Sequence, residues 1–231
     1  MNPGLQFSHA MSLSVIIVAA GSSVRMGFDK LAAPLAGKPV LQHSLDAFLA
    51  LPAVREIVVV CPPERFGLLD TTRSAIPVRR ADGGADRQNS VANGLATVAA
   101  DAEFIAVHDG ARPLVHPEDL GRCLEAAAAC HAAALARRVT ETLKRSDERG
   151  FCTESVAREQ LWCMETPQVF AGSLLRQAYA ALPADAAPVT DEVTAVQATG
   201  HAVRFVESNH PNPKITRPAD LPLAAAILAA R

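Results

Sequence analysis

The chain has one tryptophan and one tyrosine in 231 residues. That leaves little aromatic surface for stacking the bases of a single-stranded nucleic acid. It also lacks an excess of either charge: 22 Lys and Arg stand against 24 Asp and Glu, for a net charge of -2. No basic stripe for a duplex and no acidic tail are therefore expected. No apolar run approaches the roughly 18 residues of a membrane-spanning helix; the alanine-rich end, Leu221 to Ala230, is too short and reads as a packed helix. Met1 to Ser12 lacks the charged start and apolar centre of a signal peptide. It is expected to be a flexible tail before a folded unit at 13–231, and Met11 could be the natural start. The five cysteines, Cys61, Cys123, Cys130, Cys152 and Cys163, form no CxxC pair. Free thiols in a reducing cytoplasm are expected, and a zinc site is not. Neither GxxxxGK[ST] nor GxGxxG occurs, which argues against a P-loop NTPase and a dinucleotide dehydrogenase.

What is present is organised around VIIVAAGSSVRMGFDK, from Val15 to Lys30. Val15 to Val18 is a short β-branched run that reads as a buried strand. It stops at Ala19-Ala20-Gly21, where no side chain exceeds a methyl, so backbone N–H groups can approach a ligand's phosphate oxygens. Ser22 and Ser23 follow, then the cations Arg25 and Lys30, a set that suits a polyphosphate and phosphoryl chemistry. A glycine turn with solvated charges is the other reading of this segment alone.

Further strands are expected at Arg55–Val60, near Ile76–Val78, at Phe104–Val107, at Ala132–Ala136 and at Val203–Val206, alternating with helices. Pro39 should sit in the first turn of one helix and Pro117 at the start of another. Gly83-Gly84-Ala85-Asp86-Arg87-Gln88-Asn89-Ser90 forms a second loop of close backbone approach, with Arg87 and Ser90 on one helix face. Asp109-Gly110-Ala111-Arg112 forms a third, where an acidic group can serve ribose or a metal-bound phosphate. Arg112 is restrained by Pro113, and a fixed guanidinium suits a phosphate; His108 reads as a buried histidine behind the site. Lys214 and Arg217 add cations near the end of the last strand.

From about 138 to 165 the texture becomes polar, with Val139, Leu143, Phe151 and Val156 at intervals and a hairpin turn at Arg149-Gly150. This reads as a protruding β-arm whose apolar residues need a partner, hence a homodimer. Thr166-Pro167-Gln168 then returns the chain to the domain. Thr190 is expected to cap a helix, with Asp191 and Glu192 suited to its positive end. The βαβα order implies one α/β unit: a mostly parallel twisted sheet with helices on both faces and the three loops at one edge.

The blocks AAGSSVRMG with Lys30, GGADRQNSV, VHDGARP, TPQ, TDE and KITRP occur in this order between Val15 and Leu223. In this the chain resembles the 2-C-methyl-D-erythritol 4-phosphate cytidylyltransferases. The resemblance implies a single Rossmann-like nucleotidyltransferase domain that transfers CMP from CTP to methylerythritol phosphate and releases pyrophosphate, in the non-mevalonate route to isoprenoids. It implies Mg²⁺ held mainly by the CTP phosphates, with no protein metal site, and a homodimer formed through the arm. By motif, Arg25, Lys30 and Lys214 would be catalytic. Ala19, Ala20, Gly21, Ser22, Ser23, Gly84, Arg87 and Ser90 would bind the nucleotide. Asp109, Gly110, Arg112, Thr166 and Thr190 would lie on the substrate side, and Thr142 and Arg158 of the arm would reach the partner subunit's substrate. The chain departs from the family pattern at Val18, Leu31 and Ala85 without losing a proposed catalytic cation. Two other readings stand beside this one: a cytidylyltransferase for ribitol 5-phosphate, and a nucleotide-binding module without turnover.

Overall fold

The computed structural model describes residues 11–22, 26–183 and 188–231. In chain order these form β1 (Leu13–Val18), β2 (Pro34–Leu35), β3 (Lys38–Pro39), α1 (Val40–Leu49), β4 (Val54–Val60), α2 (Pro63–Phe66), β5 (Val78–Ala81), α3 (Arg87–Thr97) and β6 (Phe104–Asp109). They continue with α4 (Pro117–Cys130), β7 (Ala132–Arg138), β8 (Leu143–Ser146), β9 (Cys152–Val156), β10 (Trp162–Ala171), α5 (Gly172–Ala180), α6 (Glu192–Gln197), β11 (Arg204–Glu207) and α7 (Asp220–Ala229).

One seven-stranded sheet carries the fold, in the order β11-β7-β10-β6-β1-β4-β5. The β-branched run of β1 lies at its centre, parallel to both β4 and β6. Such a strand is covered on both faces and so reads as continuously apolar. Successive side chains point to opposite faces. Leu13, Val15 and Ile17 pack with Leu41, Leu45 and Phe48 of α1, and with Leu120 and Leu124 of α4. Ile16 packs the other way, with Val91 and Leu95 of α3, Leu175 of α5 and Val196 of α6. Helices thus cover both faces, as the alternation of strands and helices implied.

The chain steps from β1 outward to β4 and β5, then returns to place β6 on the other side of β1. The crevice at such a switch in strand order is where open α/β sheets bind ligands. Only β10 runs antiparallel to its neighbours in this sheet, filling the gap between β6 and β7.

Several boundaries differ from the sequence reading. The chain re-enters the sheet at Trp162, paired with Arg138, and not at Thr166, so 162–165 belong to β10. The ladder with β7 breaks between Met164 and Gln168, around the cis Thr166–Pro167 bond, where proline has no N–H to contribute. The strand near Ile76 starts at Val78 and lies at the sheet edge. β8 and β9 pair as a separate two-stranded sheet, turning near Gly150, whose φ of 85° suits glycine. The helix expected to be capped by Thr190 is capped by Asp191, whose side chain accepts from Thr194 N.

Gly172 joins β10 to α5 where a Cβ would stand 2.1 Å from the carbonyl oxygen of Ala102. Backbone cannot yield as a side-chain tip does. Gly172→Ala should therefore destabilise the fold by about 1–3 kcal/mol, the usual range for overpacking. Urea unfolding of the two proteins measures this.

Candidate active site

Three strand ends and one C-terminal segment enclose a cleft of about 600 Å³ at the switch point. Its lining includes Ala19, Ala20, Gly21 and Ser22 after β1, and Gly84, Arg87 and Ser90 around the start of α3. Asp109 at the end of β6, Lys30 and Lys214 complete it. The structure thus brings these residues, which the sequence singled out on separate loops, to one cleft. Ser23 and Arg25 lie outside the described residues.

Small side chains make the approach of the loops possible. A Cβ on Gly83 would lie 2.5 Å from that of Ala20, so the first two loops touch at a spot with no room for a side chain. Asp86 caps α3 by accepting from Asn89 N, and Ser90 Oγ accepts from Gly84 N at 3.0 Å while donating to Asp86 O at 2.8 Å. The Ser90 hydroxyl therefore shapes the loop that presents Gly84.

Asp109 is the electrostatic centre. Lys214 Nζ lies 2.9 Å from Oδ2, Arg87 Nε 3.4 Å from Oδ1 and Arg112 Nε 3.6 Å from Oδ2. Burial alone would raise the carboxyl's pKa, but Lys214 and Arg87, followed by Arg112, outweigh it and hold the group well below the usual carboxylate range. Its backbone N–H donates to Thr166 Oγ1 at 3.0 Å. His108 Nε2 reaches the Arg112 carbonyl at 3.2 Å, which requires an N–H there; its bare Nδ1 then accepts from the Thr166 hydroxyl at 3.0 Å. Burial pushes the His108 pKa down to about 4, in accord with that neutral tautomer.

Glu192, read as a helix-end carboxylate, does stand in the first turn of α6, and the structure gives it a second role. It is fully buried, and it grips the Arg87 guanidinium with both oxygens, at 2.7 and 2.9 Å. Tyr179 OH donates to Oε1 at 3.0 Å. Burial opposes the charge on Arg87, but the Glu192 carboxylate more than compensates and raises its pKa. No local pattern distinguishes Glu192 from Asp191; the pairing joins residues 105 positions apart.

Among the described residues, the cleft lining does not include Gly110, Arg112, Thr142, Arg158, Thr166 or Thr190. The Arg112 guanidinium, read as a phosphate ligand, instead donates to the Asn212 carbonyl at 2.8 Å and to that of Met164 at 3.2 Å. Gly110 is packed: a Cβ there would lie 2.7 Å from Leu41 Cδ1. Thr166 acts behind Asp109. Thr190 is exposed. Thr142 is exposed at the foot of the β8–β9 hairpin, and Arg158 Nη1 donates to Thr140 O beside it. Asp86, Ala111 and Thr216 do line the cleft and were not singled out.

Lys30 Nζ donates to Ile215 O at 2.8 Å, and Ile215 N donates to Ala111 O at 2.8 Å. The C-terminal segment is thereby strapped across the end of β6, with both lysines on the cleft. Such a site can neutralise phosphate oxygens from two directions.

Two outcomes are expected. Glu192→Gln leaves the mostly buried Arg87 without its main counter-charge and should cost about 3 kcal/mol, the lower end for breaking a buried pair, read by denaturant unfolding. His108 has a folded pKa of about 4, below the ordinary value of about 6.5. Its contribution to stability is therefore full above about pH 6.5 and is lost as pH falls through the folded value. The slope across that window should be at most about 1.4 kcal/mol per pH unit. Unfolding of wild type and His108→Gln across this range should show a shallower acid loss in the variant.

The model of the family described as IspD, 2-C-methyl-D-erythritol 4-phosphate cytidylyltransferase, matches residues 13–230. The chain is 39% identical over 221 residues to the chloroplastic enzyme of that name from Oryza sativa subsp. japonica, covering 94% of this chain and 74% of the relative. It is 41% identical to that of Aeromonas hydrophila subsp. hydrophila over 221 residues, covering 94% and 89% of the two chains. The crystal structure of the Thermus thermophilus enzyme superposes with a TM-score of 0.78 at 33% identity, covering 96% of this chain and all of the other. A cleft built from these loops, in a chain that the family model matches from 13 to 230, places the protein in the 2-C-methyl-D-erythritol 4-phosphate cytidylyltransferase family.

Proposed function

We propose that the protein transfers CMP from CTP to 2-C-methyl-D-erythritol 4-phosphate, giving the diphosphocytidyl alcohol and pyrophosphate. The observation that carries this reading is the placement of Lys30 and Lys214 on one cleft with the small-residue loops Ala19–Ser22 and Gly84. The substrate phosphate has a second pKa of about 6 and is already a nucleophile near neutral pH, so no general base is required. Its oxygen attacks the α-phosphorus of CTP and pyrophosphate leaves. The obstacle is the mutual repulsion of two anions. Lys30 and Lys214, with Arg25 by motif, offset that repulsion as charge shifts to the leaving group, and the loops hold the two phosphates in line.

Ala19, Ala20, Gly21, Ser22 and Ser23 would lie along the triphosphate, with Gly84, Arg87 and Ser90 around the cytidine. Asp109 would meet the ribose or sugar side, held by Thr166 and by its surrounding cations. The donor set fits a Mg²⁺ carried by the nucleotide: the Asp109 carboxylate is already matched by Lys214, Arg87 and Arg112, and Asp86 is occupied as a cap. Mg²⁺ ordinarily keeps few protein ligands when phosphates are present. Bound there, it would supply charge neutralisation on the phosphate oxygens.

The β8–β9 hairpin is the proposed arm of a homodimer within a single nucleotidyltransferase domain. Phe151 on it is 66% exposed and Leu161 beyond it is also exposed, apolar surface that a second copy would cover. Thr142 and Arg158 would then reach the partner subunit's cleft. All five cysteines are unpaired, in keeping with a reducing compartment such as the cytoplasm.

Pyrophosphate release from CTP, with methylerythritol phosphate and ribitol 5-phosphate offered separately, tests the reading. Activity with the first alone supports it, activity with ribitol 5-phosphate favours the related enzyme, and none with either leaves a binding module. Lys30→Ala should lower kcat by at least about 100-fold with little change in the KM for CTP; an unchanged kcat would remove Lys30 from the chemistry. Deleting 143–156 should convert a dimer to a monomer on size-exclusion chromatography with light scattering.

A further inference from the structure

We propose that Arg65 is a positioning residue for the transfer reaction: its guanidinium ties the end of β1 to the turn that carries Lys30. The proposal rests on the reading of Lys30 as a catalytic cation. Arg65 belongs to α2, the single turn between β4 and β5, and takes no part in the cleft lining among the described residues. Its side chain is only 9% exposed.

All three of its nitrogens are committed to one task. Nε and Nη2 each lie 2.9 Å from Asp29 Oδ2, and Nη1 donates to the carbonyl oxygen of Ala19. Ala19 directly follows β1, and Asp29 directly precedes Lys30. The other Asp29 oxygen, Oδ1, accepts from Leu31 N at 3.0 Å, bridging the turn across Lys30. From that turn Lys30 Nζ reaches Ile215 O at 2.8 Å. A continuous path of directional bonds thus runs from Arg65 through Asp29 to the backbone on both sides of Lys30.

The chemistry of the side chain matters here. A guanidinium offers a planar fork with fixed donor directions, able to hold a carboxylate and a carbonyl at once; an ammonium is a rotatable point charge and cannot. An ion pair with one partner buried and the other part-exposed adds little net stability, because desolvation and solvent screening offset most of the attraction. Its directional constraint is what an apolar pair of equal volume would not supply. Placement errors of about 1 Å at a reacting centre cost roughly 100-fold in rate, so loosening this tie should appear in kcat.

The test uses the full-length enzyme with CTP and methylerythritol phosphate. Arg65→Gln should lower kcat by roughly 100-fold while leaving the KM for CTP nearly unchanged. Arg65→Lys should not restore it. Asp29→Asn, at a half-exposed position that folding tolerates better, should act in the same direction. The decisive comparison is made in the Lys30→Ala background, where Arg65→Gln should change kcat by less than about 3-fold, because the group it positions is gone. The proposal is overturned if Arg65→Gln and Asp29→Asn retain full kcat, or if the Arg65→Gln loss persists undiminished in the Lys30→Ala background, as a general loosening would produce. If Lys30→Ala itself retains full kcat, the reading of Lys30 fails and the positioning role fails with it, while activity of the wild type shows that the reaction assignment stands.

Discussion

A carboxylate buried at the end of a central strand must be neutralised or it will protonate. Asp109 is neutralised by cations from three parts of the chain: Arg87 on α3, Arg112 just beyond β6, and Lys214 in the C-terminal segment. Each contact fixes the position of a different loop relative to β6. Arg87 is in turn matched by Glu192, to which Tyr179 donates. Charges of alternating sign therefore run from the α5–α6 face of the sheet to the cleft. With its counter-charges removed, the loops that form the site would lose their common reference.

The antiparallel strand β10 makes this arrangement possible. It supplies Thr166, which receives the Asp109 N–H and donates to His108. Two residues later it supplies Gln168, whose Oε1 accepts from the backbone N–H groups of Glu192 and Val193 at 3.0 Å each. One strand thus orders both ends of the charge path. Thr166, His108 and Gln168 are hydrogen-bonded in this way, which offsets the cost of burying them.

This interior explains a division of labour among the cations. Arg87, Arg112 and Arg65 are forked donors fastened to carboxylates and carbonyls, and they build the cleft. Lys30 and Lys214 stand with Arg87 on its lining, Lys30 on the Ile215 carbonyl and Lys214 on the Asp109 carboxylate. A guanidinium is a rigid fork that fixes the direction of several bonds at once, and an ammonium is a compact charge that turns on its stem.

Much was legible before the structure. The β-branched run Val15–Val18, the small residues of Ala19–Gly21 and Gly83–Gly84, and the Gly150 turn are local signals, set by steric rules that act within a few residues. They sufficed for the fold class and for the principal loops of the cleft. The family resemblance added the pairing of Lys214 with Lys30 in one role, which no local pattern relates. Tertiary structure alone decided which charges line the cleft and which are matched behind it. Arg87 and Arg112 look equally available in the sequence, and Glu192 looks like a helix-end acid. Their roles depend on partners tens of residues or more away, because an ion pair is fixed by distance in space and by burial, neither of which is written in the spacing of residues along the chain.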